Sequence, residues 1–166
     1  MSRQSTQFPA RQTRRGFTLV EILIVVVILG ILATIVIPQF SNASVSAKET
    51  ALKDELRYLR TQTVVFKAQH RDVPPGAAGA NFADQMTTFT DEAGQTSPVA
   101  TATHKYGPYL SRMSINPINN LMTIETTTQN PLVPDGGHGW KYNPDTQEII
   151  ADVTGNDSVG TPYSKY

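Results

Sequence analysis

The stretch RRGFTLVEILIVVVILGILATIVIP, residues 14–38, decides what kind of fold this chain can have. Within residues 22–37 only Gly30 and Thr34 are not medium or large apolar side chains. Counted from Phe17, the run has 21 residues and would form a helix about 31 Å long, close to the roughly 30 Å hydrocarbon core of a bilayer. A core helix of a soluble domain shows a polar face, so this run is predicted to span a membrane.

Three interpretations of the run compete. A secretory signal peptide has about 7–15 apolar residues followed by a small-residue cleavage site, whereas this run is longer and ends in Ile-Val-Ile-Pro. A plain membrane anchor is compatible with the run alone. A leader cut before the run, between Gly16 and Phe17, accounts in addition for Arg14, Arg15 and the position of Glu21.

The stretch resembles the class III signal of type IV pilins and type II secretion pseudopilins, in which a short basic leader ends in glycine. The match covers about 25 residues closely and rests on the spacing of Gly16, Phe17, Thr18, Leu19, Glu21 and Pro38. The resemblance implies that prepilin peptidase cuts between Gly16 and Phe17 and methylates the new amino terminus of Phe17. It also implies that Glu21 is the acidic residue of the signal.

Glu21 is the only charged residue of the apolar run, and an unpaired carboxylate in apolar surroundings is costly. Cleavage would create an amine on Phe17, and helical positions four apart share a face. The resemblance implies that this amine, on the same or a neighbouring subunit, pairs with Glu21. Such a pair would set the register of a helix bundle. The alternative is that Glu21 lies near the membrane edge and reaches the lipid headgroups.

Gly30 and Pro38 weaken the same helix, because glycine costs about 1 kcal/mol and proline about 3 kcal/mol relative to alanine in a helix interior. The resemblance favours a segment that bends or locally unwinds when helices pack in a filament. The alternative is a kink tolerated where the helix leaves the membrane.

The charge of the chain is distributed unevenly. Lys and Arg number 14, as do Asp and Glu; residues 1–16 hold four arginines and no acid, so 10 basic and 14 acidic side chains remain for the rest. Positive charge marks the cytoplasmic side of a membrane segment, which places residues 1–16 in the cytoplasm and the body in the periplasm. The acidic body has no basic patch of the kind that binds nucleic acid.

Beyond Pro38 the chain is predicted to continue as an amphipathic helix and then a small domain. One apolar stripe at helical spacing consists of Leu52, Leu56, Leu59, Thr63 and Phe66. Four segments follow from this pattern: a cleaved leader at 1–16, a transmembrane and assembly helix at 17–38, its amphipathic continuation at 39–73, and a globular domain at 74–166.

The fold class predicted is α+β, with the long N-terminal helix packed on a small antiparallel sheet of about three strands. A short helix is indicated by the helical spacing of Phe82, Met86 and Phe89. A strand is indicated by the alternation of residues 121–128. A hairpin around an Asn-Pro-Asp turn is predicted for the segment GWKYNPDTQEIIADV. YGPYLSRMSINPINN is similar to the loop before the strands of major pseudopilins, although the NPWGNPY-like run of that family is not intact.

Residue patterns for catalysis are lacking. His70, His104 and His138 have no metal-ligand spacing and are expected on the surface or in loops, and no serine lies in a nucleophile motif. The chain is therefore predicted not to be an enzyme and to need no cofactor.

One weak candidate for a metal site remains, because calcium prefers several oxygen ligands and a turn-rich C-terminal segment crowds them together. Its residues are Asp152, Asn156, Asp157 and Ser158. Major pseudopilins have calcium in their C-terminal loop, so the resemblance favours the same ion here.

The function that follows from the resemblance is that of a structural subunit of a type II secretion pseudopilus, helping to move proteins across the outer membrane. Its expected partners are prepilin peptidase, an inner-membrane assembly platform, copies of itself and other pseudopilins. The alternatives are a type IV pilin for adhesion, motility or DNA uptake, and a single-span anchored binding protein or enzyme.

Overall fold

The computed structural model describes residues 16–166, so all of the predicted leader except Gly16 lies outside the described part. The chain forms two compact units, of which one ends at Ser41 and the other is Asn42–Tyr166. The elements in chain order are α1 Leu19–Gln69, a first 3-10 turn Ala77–Gly79, α2 Phe82–Thr87, β1 Phe89–Thr90, β2 Thr96–Ser97, β3 Ile124–Thr126, β4 Trp140–Asn143, β5 Glu148–Ala151 and a second 3-10 turn Tyr163–Lys165.

In the first unit α1 is exposed on every side from its first residue to Ser41. Among residues 16–166 it is the one helix long and apolar enough to cross a membrane. It continues through Gly30 and Pro38 without interruption. The hydroxyl of Thr34 donates to the carbonyl of Ile31 at 2.7 Å, so this polar side chain is satisfied within its own helix. These features fit a membrane-anchored chain.

In the second unit the rest of α1 presents one face to the core. Its buried residues are Glu49, Leu52, Leu56, Leu59, Thr63 and Phe66, which confirms the apolar stripe predicted from spacing. The helix ends at Gln69 because Arg71 and Asp72 take left-handed backbone angles, with φ of 53° and 68°. The helix therefore ends a few residues before the end of the amphipathic continuation predicted over residues 39–73.

The core of the second unit lies between this face of α1, helix α2 and a three-stranded sheet. Its largest fully buried side chains include Trp140 and Tyr142 of β4, Phe66 of α1 and Phe82 of α2. Asn81 caps α2, because its side-chain oxygen accepts from the N–H of Asp84 at 3.1 Å. The α+β class, the long helix, the short helix and the β4–β5 hairpin are confirmed.

The strand directions differ in part from the prediction of an antiparallel sheet. The sheet order is β3-β4-β5; β4 and β5 are antiparallel, but β3 and β4 are parallel, with Glu125 opposite Lys141. Parallel neighbours need a long connection. Residues 127–139 supply it, because they return the chain from the end of β3 to the end of the sheet at which β3 begins. A second, two-stranded sheet pairs β1 with β2 in antiparallel register.

His70 is the clearest departure from the sequence-based expectation of a surface histidine. It is only 2% exposed, stacks on Phe66 with ring centroids 3.8 Å apart, and lies just after the last residue of α1. Its Nδ1 is 2.6 Å from the carbonyl of Phe66, which can only accept, so Nδ1 carries a proton. Its Nε2 lies 2.9 Å from the Thr90 hydroxyl. Both ring nitrogens therefore have partners, and His70 is a core residue.

Truncation of Leu56, which is fully buried, should lower the free energy of unfolding by about 2–5 kcal/mol, because a cavity is left on the sheet-facing side of α1. Val64 on the same helix is 65% exposed, so Val64→Ala should change stability by less than about 0.5 kcal/mol. Denaturant unfolding of the detergent-solubilised full chain, followed by the fluorescence of Trp140, measures both. Equal effects of Leu56→Ala and Val64→Ala would contradict this packing.

Candidate functional site

The start of α1 carries a reciprocal cap built by Thr18 and Glu21. The hydroxyl of Thr18 accepts from the N–H of Glu21 at 3.2 Å, and the Glu21 carboxylate accepts from the N–H of Thr18 at 3.5 Å. This is the capping-box arrangement, which satisfies two of the free N–H groups at a helix start. The Thr-x-x-Glu spacing is its sequence signal, and it gives Glu21 a structural partner inside the chain itself.

Phe17 precedes the helix, because α1 begins at Leu19. With residue 16 attached, Phe17 lies outside the helix. The expectation that Phe17 and Glu21 share a helix face concerns the cleaved chain and stays a prediction. In the uncleaved chain the Glu21 carboxylate reaches back towards the helix start through Thr18. An amine on Phe17 would stand one residue before that cap. At the cap itself, the Glu21 carboxylate also offsets the positive end of the helix dipole.

Both sides of the predicted cleavage position are accessible. Gly16 and Phe17 are exposed, and nothing lies within 4 Å of a Cβ placed on Gly16. Arg14 and Arg15 lie outside the described residues. Cleavage after Gly16 and methylation of Phe17 stay predictions, as do the register role of Glu21 and the flexibility assigned to Gly30 and Pro38.

Asp152, the first of the four predicted calcium ligands, lies fully buried after β5. Its carboxylate accepts three backbone N–H groups of the 135–138 loop: Asp135 at 2.7 Å, Gly136 at 3.0 Å and His138 at 2.8 Å. Gly136 has a φ of 81°, a backbone angle that favours glycine, and this lets the loop fold around Asp152. The Gly-Gly-His-Gly segment is thus a carboxylate-binding turn before β4.

The other three predicted ligands belong to a separate turn. Asp157 accepts from the N–H groups of Val159 and Thr161 at 3.0 and 2.7 Å and from the Tyr166 hydroxyl at 2.6 Å. Ser158 donates both its N–H and its hydroxyl to the buried carboxylate of Glu49 on α1, at 2.8 and 2.9 Å. Asn156 pairs with the chain at Pro162.

The structure therefore uses Asp152 to hold one loop and Asp157 with Ser158 to hold another. The calcium site stays a prediction, and the side chains of Asp152, Asp157 and Ser158 already have hydrogen-bond partners of their own.

A charged cluster that the sequence did not reveal lies beside Asp152. The Lys141 ammonium of β4 is 2.7 Å from a carboxylate oxygen of Asp135 and 2.9 Å from one of Glu125 on β3. Its side chain is only 4% exposed. His138 Nδ1 is 3.8 Å from Glu125 and 3.9 Å from Asp152, too far for hydrogen bonds. These residues lie in β3, in the loop before β4, in β4 itself and directly after β5, so no helix or strand periodicity points to the cluster.

The ion pair changes the titration of both partners. The hydrogen bond from Lys141, with a second from the N–H of Gly137, lowers the pKa of Asp135 from 3.8 to about 2. The same bond with Asp135 raises the pKa of Lys141, against the opposing effect of burial. The ammonium of the buried Lys141 side chain is thus held in its charged form beside an Asp135 carboxylate that is itself exposed.

The N-terminal stretch matches a known family model. The family described as the prokaryotic N-terminal methylation motif matches residues 11–37, which include Gly16, Phe17, Glu21 and Gly30.

Two relatives with longer matches extend the likeness into the body. Type II secretion system core protein G of Dickeya chrysanthemi is 26% identical over 89% of this chain and 88% of its own length. Type IV major pilin protein PilA of Myxococcus xanthus is 30% identical over 83% of this chain and 67% of its own length. Core protein G of Pseudomonas aeruginosa is 38% identical, but the alignment spans only about half (49%) of that relative and 42% of this chain. No solved structure matches the chain.

Acid should destabilise the body partly through Asp135. Its pKa is lower in the folded state than in the unfolded chain, so its contribution to stability is present above about pH 4 and is lost as the pH falls towards 2. We expect Asp135→Asn to lower the melting temperature near pH 7 and to flatten its fall between about pH 4 and 2. Asp145→Asn, at an exposed turn outside the ion pairs of residues 16–166, is the matched control. An Asp135→Asn profile parallel to that of wild type would contradict the assignment.

Proposed function

This chain belongs to the type IV pilin and pseudopilin family, and we propose that within it the protein is a structural subunit of a type II secretion pseudopilus. The observation that carries this choice is the match to the Dickeya chrysanthemi core protein G, which extends over nearly nine tenths of both chains. The match to the Myxococcus xanthus pilin leaves a third of that relative uncovered. The proposed role is to help move proteins across the outer membrane, and it involves no catalysis.

The proposed subunit is made as a precursor with residues 1–16 in the cytoplasm and the body in the periplasm. Prepilin peptidase cuts after Gly16 and methylates Phe17, and the processed chain waits in the inner membrane. The exposed apolar surface of α1 supports this anchoring, because such a surface is stable only in lipid or against other apolar helices. The only charge along it, from Phe17 to Ala47, is Glu21.

Assembly follows from the same surface. An inner-membrane platform would extract subunits, and their helices would pack together into a periplasmic filament with copies of this chain and other pseudopilins. Pairing of the Phe17 amine with Glu21 would favour one axial position over others, because any other position leaves a carboxylate unpaired in an apolar bundle. The second unit, Asn42–Tyr166, would form the outer part of each subunit.

A second candidate function is that of a type IV pilin. It is favoured by the identity with the Myxococcus xanthus PilA protein, which is higher than that with the Dickeya relative and extends over most of this chain. Both functions use the same processing and the same helix packing. They differ in the machine that assembles the subunit and in whether the filament reaches the cell surface.

Deletion of the gene separates the two functions. The secretion role predicts that proteins normally released by the cell accumulate in the periplasm, while surface pili are still made. Immunoblots of cell fractions and electron microscopy of the same cultures measure the two outcomes, and re-expression of the wild-type chain is the control. Loss of surface pili with normal protein release would instead support the pilin alternative and overturn the secretion role.

A further inference from the structure

Three carboxylates converge on one side of the sheet, and a lysine from the chain itself lies among them. Glu125 comes from β3, Asp135 from the loop before β4, and Asp152 from the end of β5. The Lys141 Nζ is 2.7 Å from Asp135 and 2.9 Å from Glu125, and the charge of Asp152 also acts on it. The ammonium therefore contacts Glu125 and Asp135 directly and acts on Asp152 through its charge alone.

A cation is needed at this position. Like charges held close together in a partly buried site disfavour one another, and Asp152 has no exposed surface at all. Its three backbone N–H partners supply partial positive charge only. Lys141 supplies a full one, and by contacting both Glu125 and Asp135 it also ties strand β3 to the 135–138 loop.

Glu125, Asp135 and His138 bring ligand atoms within 4.8 Å of one another, a grouping that by itself would suit a metal ion. Calcium, however, requires six to eight oxygens at about 2.3–2.6 Å. Both oxygens of Asp152 accept backbone N–H groups, and those of Asp135 accept from Gly137 and Lys141. A divalent ion would also have to stand beside the ammonium of Lys141, which repels it.

The predicted ligands Asp157 and Ser158 do not make up the deficit. Asp157 is occupied by the Val159 and Thr161 backbone and by Tyr166, and Ser158 by Glu49. Of the four residues that the sequence suggested for calcium, Asn156 alone has a side chain without such a partner among the hydrogen bonds of residues 16–166, and one amide oxygen is far fewer than the six to eight that calcium requires.

We propose that Lys141 is a permanent internal cation that takes the place of a metal ion, so that the unit Asn42–Tyr166 folds and stays folded without calcium. The 135–138 loop closes on Asp152 because Lys141 neutralises its acidic neighbours. This inference concerns folding of the body and stands whether the filament is a pseudopilus or a pilus.

The first test compares the wild-type full chain, purified in detergent, in a calcium chelator and in excess calcium chloride. Thermal unfolding is followed by the fluorescence of Trp140, the only tryptophan, which is fully buried and adjacent to Lys141. We expect the same melting temperature in both conditions. A lower melting temperature in the chelator, or a higher one in calcium, would overturn the proposal.

The second test removes the cation and then one of its anions. Removing the Lys141 ammonium leaves the half-buried Glu125 and the buried Asp152 without their cation. Lys141→Met in the chelator should therefore lower the melting temperature by more than about 5 °C, whereas Lys48→Met, at an exposed lysine, should leave it unchanged. The double variant Lys141→Met/Asp135→Asn should melt above Lys141→Met alone, because removing a carboxylate relieves the repulsion that the lost ammonium had balanced. A double variant that is less stable than Lys141→Met would show that Lys141 acts through packing alone and would refute its role as a cation.

Discussion

The carboxylate of Glu21 is the constraint on which the arrangement of this chain depends. It is the only charge from Phe17 to Ala47, on a helix surface that must be buried in lipid or against other helices. A carboxylate in such surroundings needs hydrogen-bond donors or a cation. With residue 16 attached, Thr18 supplies the donor through the capping box. Removal of the leader would add an amine on Phe17, one residue before Thr18. The same cleavage would then also supply the counter-charge for Glu21.

The same rule governs the body, where each buried charge has a partner from a different segment. Asp152 holds the 135–138 loop, and Lys141 joins that loop to β3. Two further contacts join α1 to the C-terminal segment. Glu49 of α1 accepts hydrogen bonds from Ser158, and Arg60 donates to the carbonyl of Tyr166 at 2.6 Å. These polar contacts fix the C-terminal segment to α1 without any cysteine in the chain.

The sequence pattern was sufficient to predict those features that depend on residues of one continuous segment. The stripe from Leu52 to Phe66 was predicted because buried positions on a helix recur every three or four residues. The β4–β5 hairpin was predicted because a turn separates two adjacent strands. The capping box had a local signal as well, in Thr18 and Glu21, but the acidic residue was interpreted as a partner for a new amino terminus or as a side chain that reaches the lipid headgroups.

Features that depend on segments far apart in the chain could not be predicted. Alternation identifies β3 as a strand but contains no information on its direction relative to β4, which residues 127–139 determine. Lys141 stands in a strand whose four residues are all buried, although lysine is usually an exposed residue. Its carboxylate partners come from other segments. His70 is buried because Thr90 and the end of α1 happen to satisfy both ring nitrogens, which no spacing of histidines discloses.

The measurement that tests the central claim most directly is zero-length cross-linking of assembled filaments with an apolar carbodiimide, followed by mass spectrometry. The account predicts a peptide that begins at methylated Phe17 and is joined through its amine to Glu21. A cross-link between Lys67 and Asp72, which lie 3.3 Å apart, serves as the positive control in the same sample. Chains that still begin at Met1, or a control cross-link without any Phe17–Glu21 product, would contradict the pairing on which the account rests.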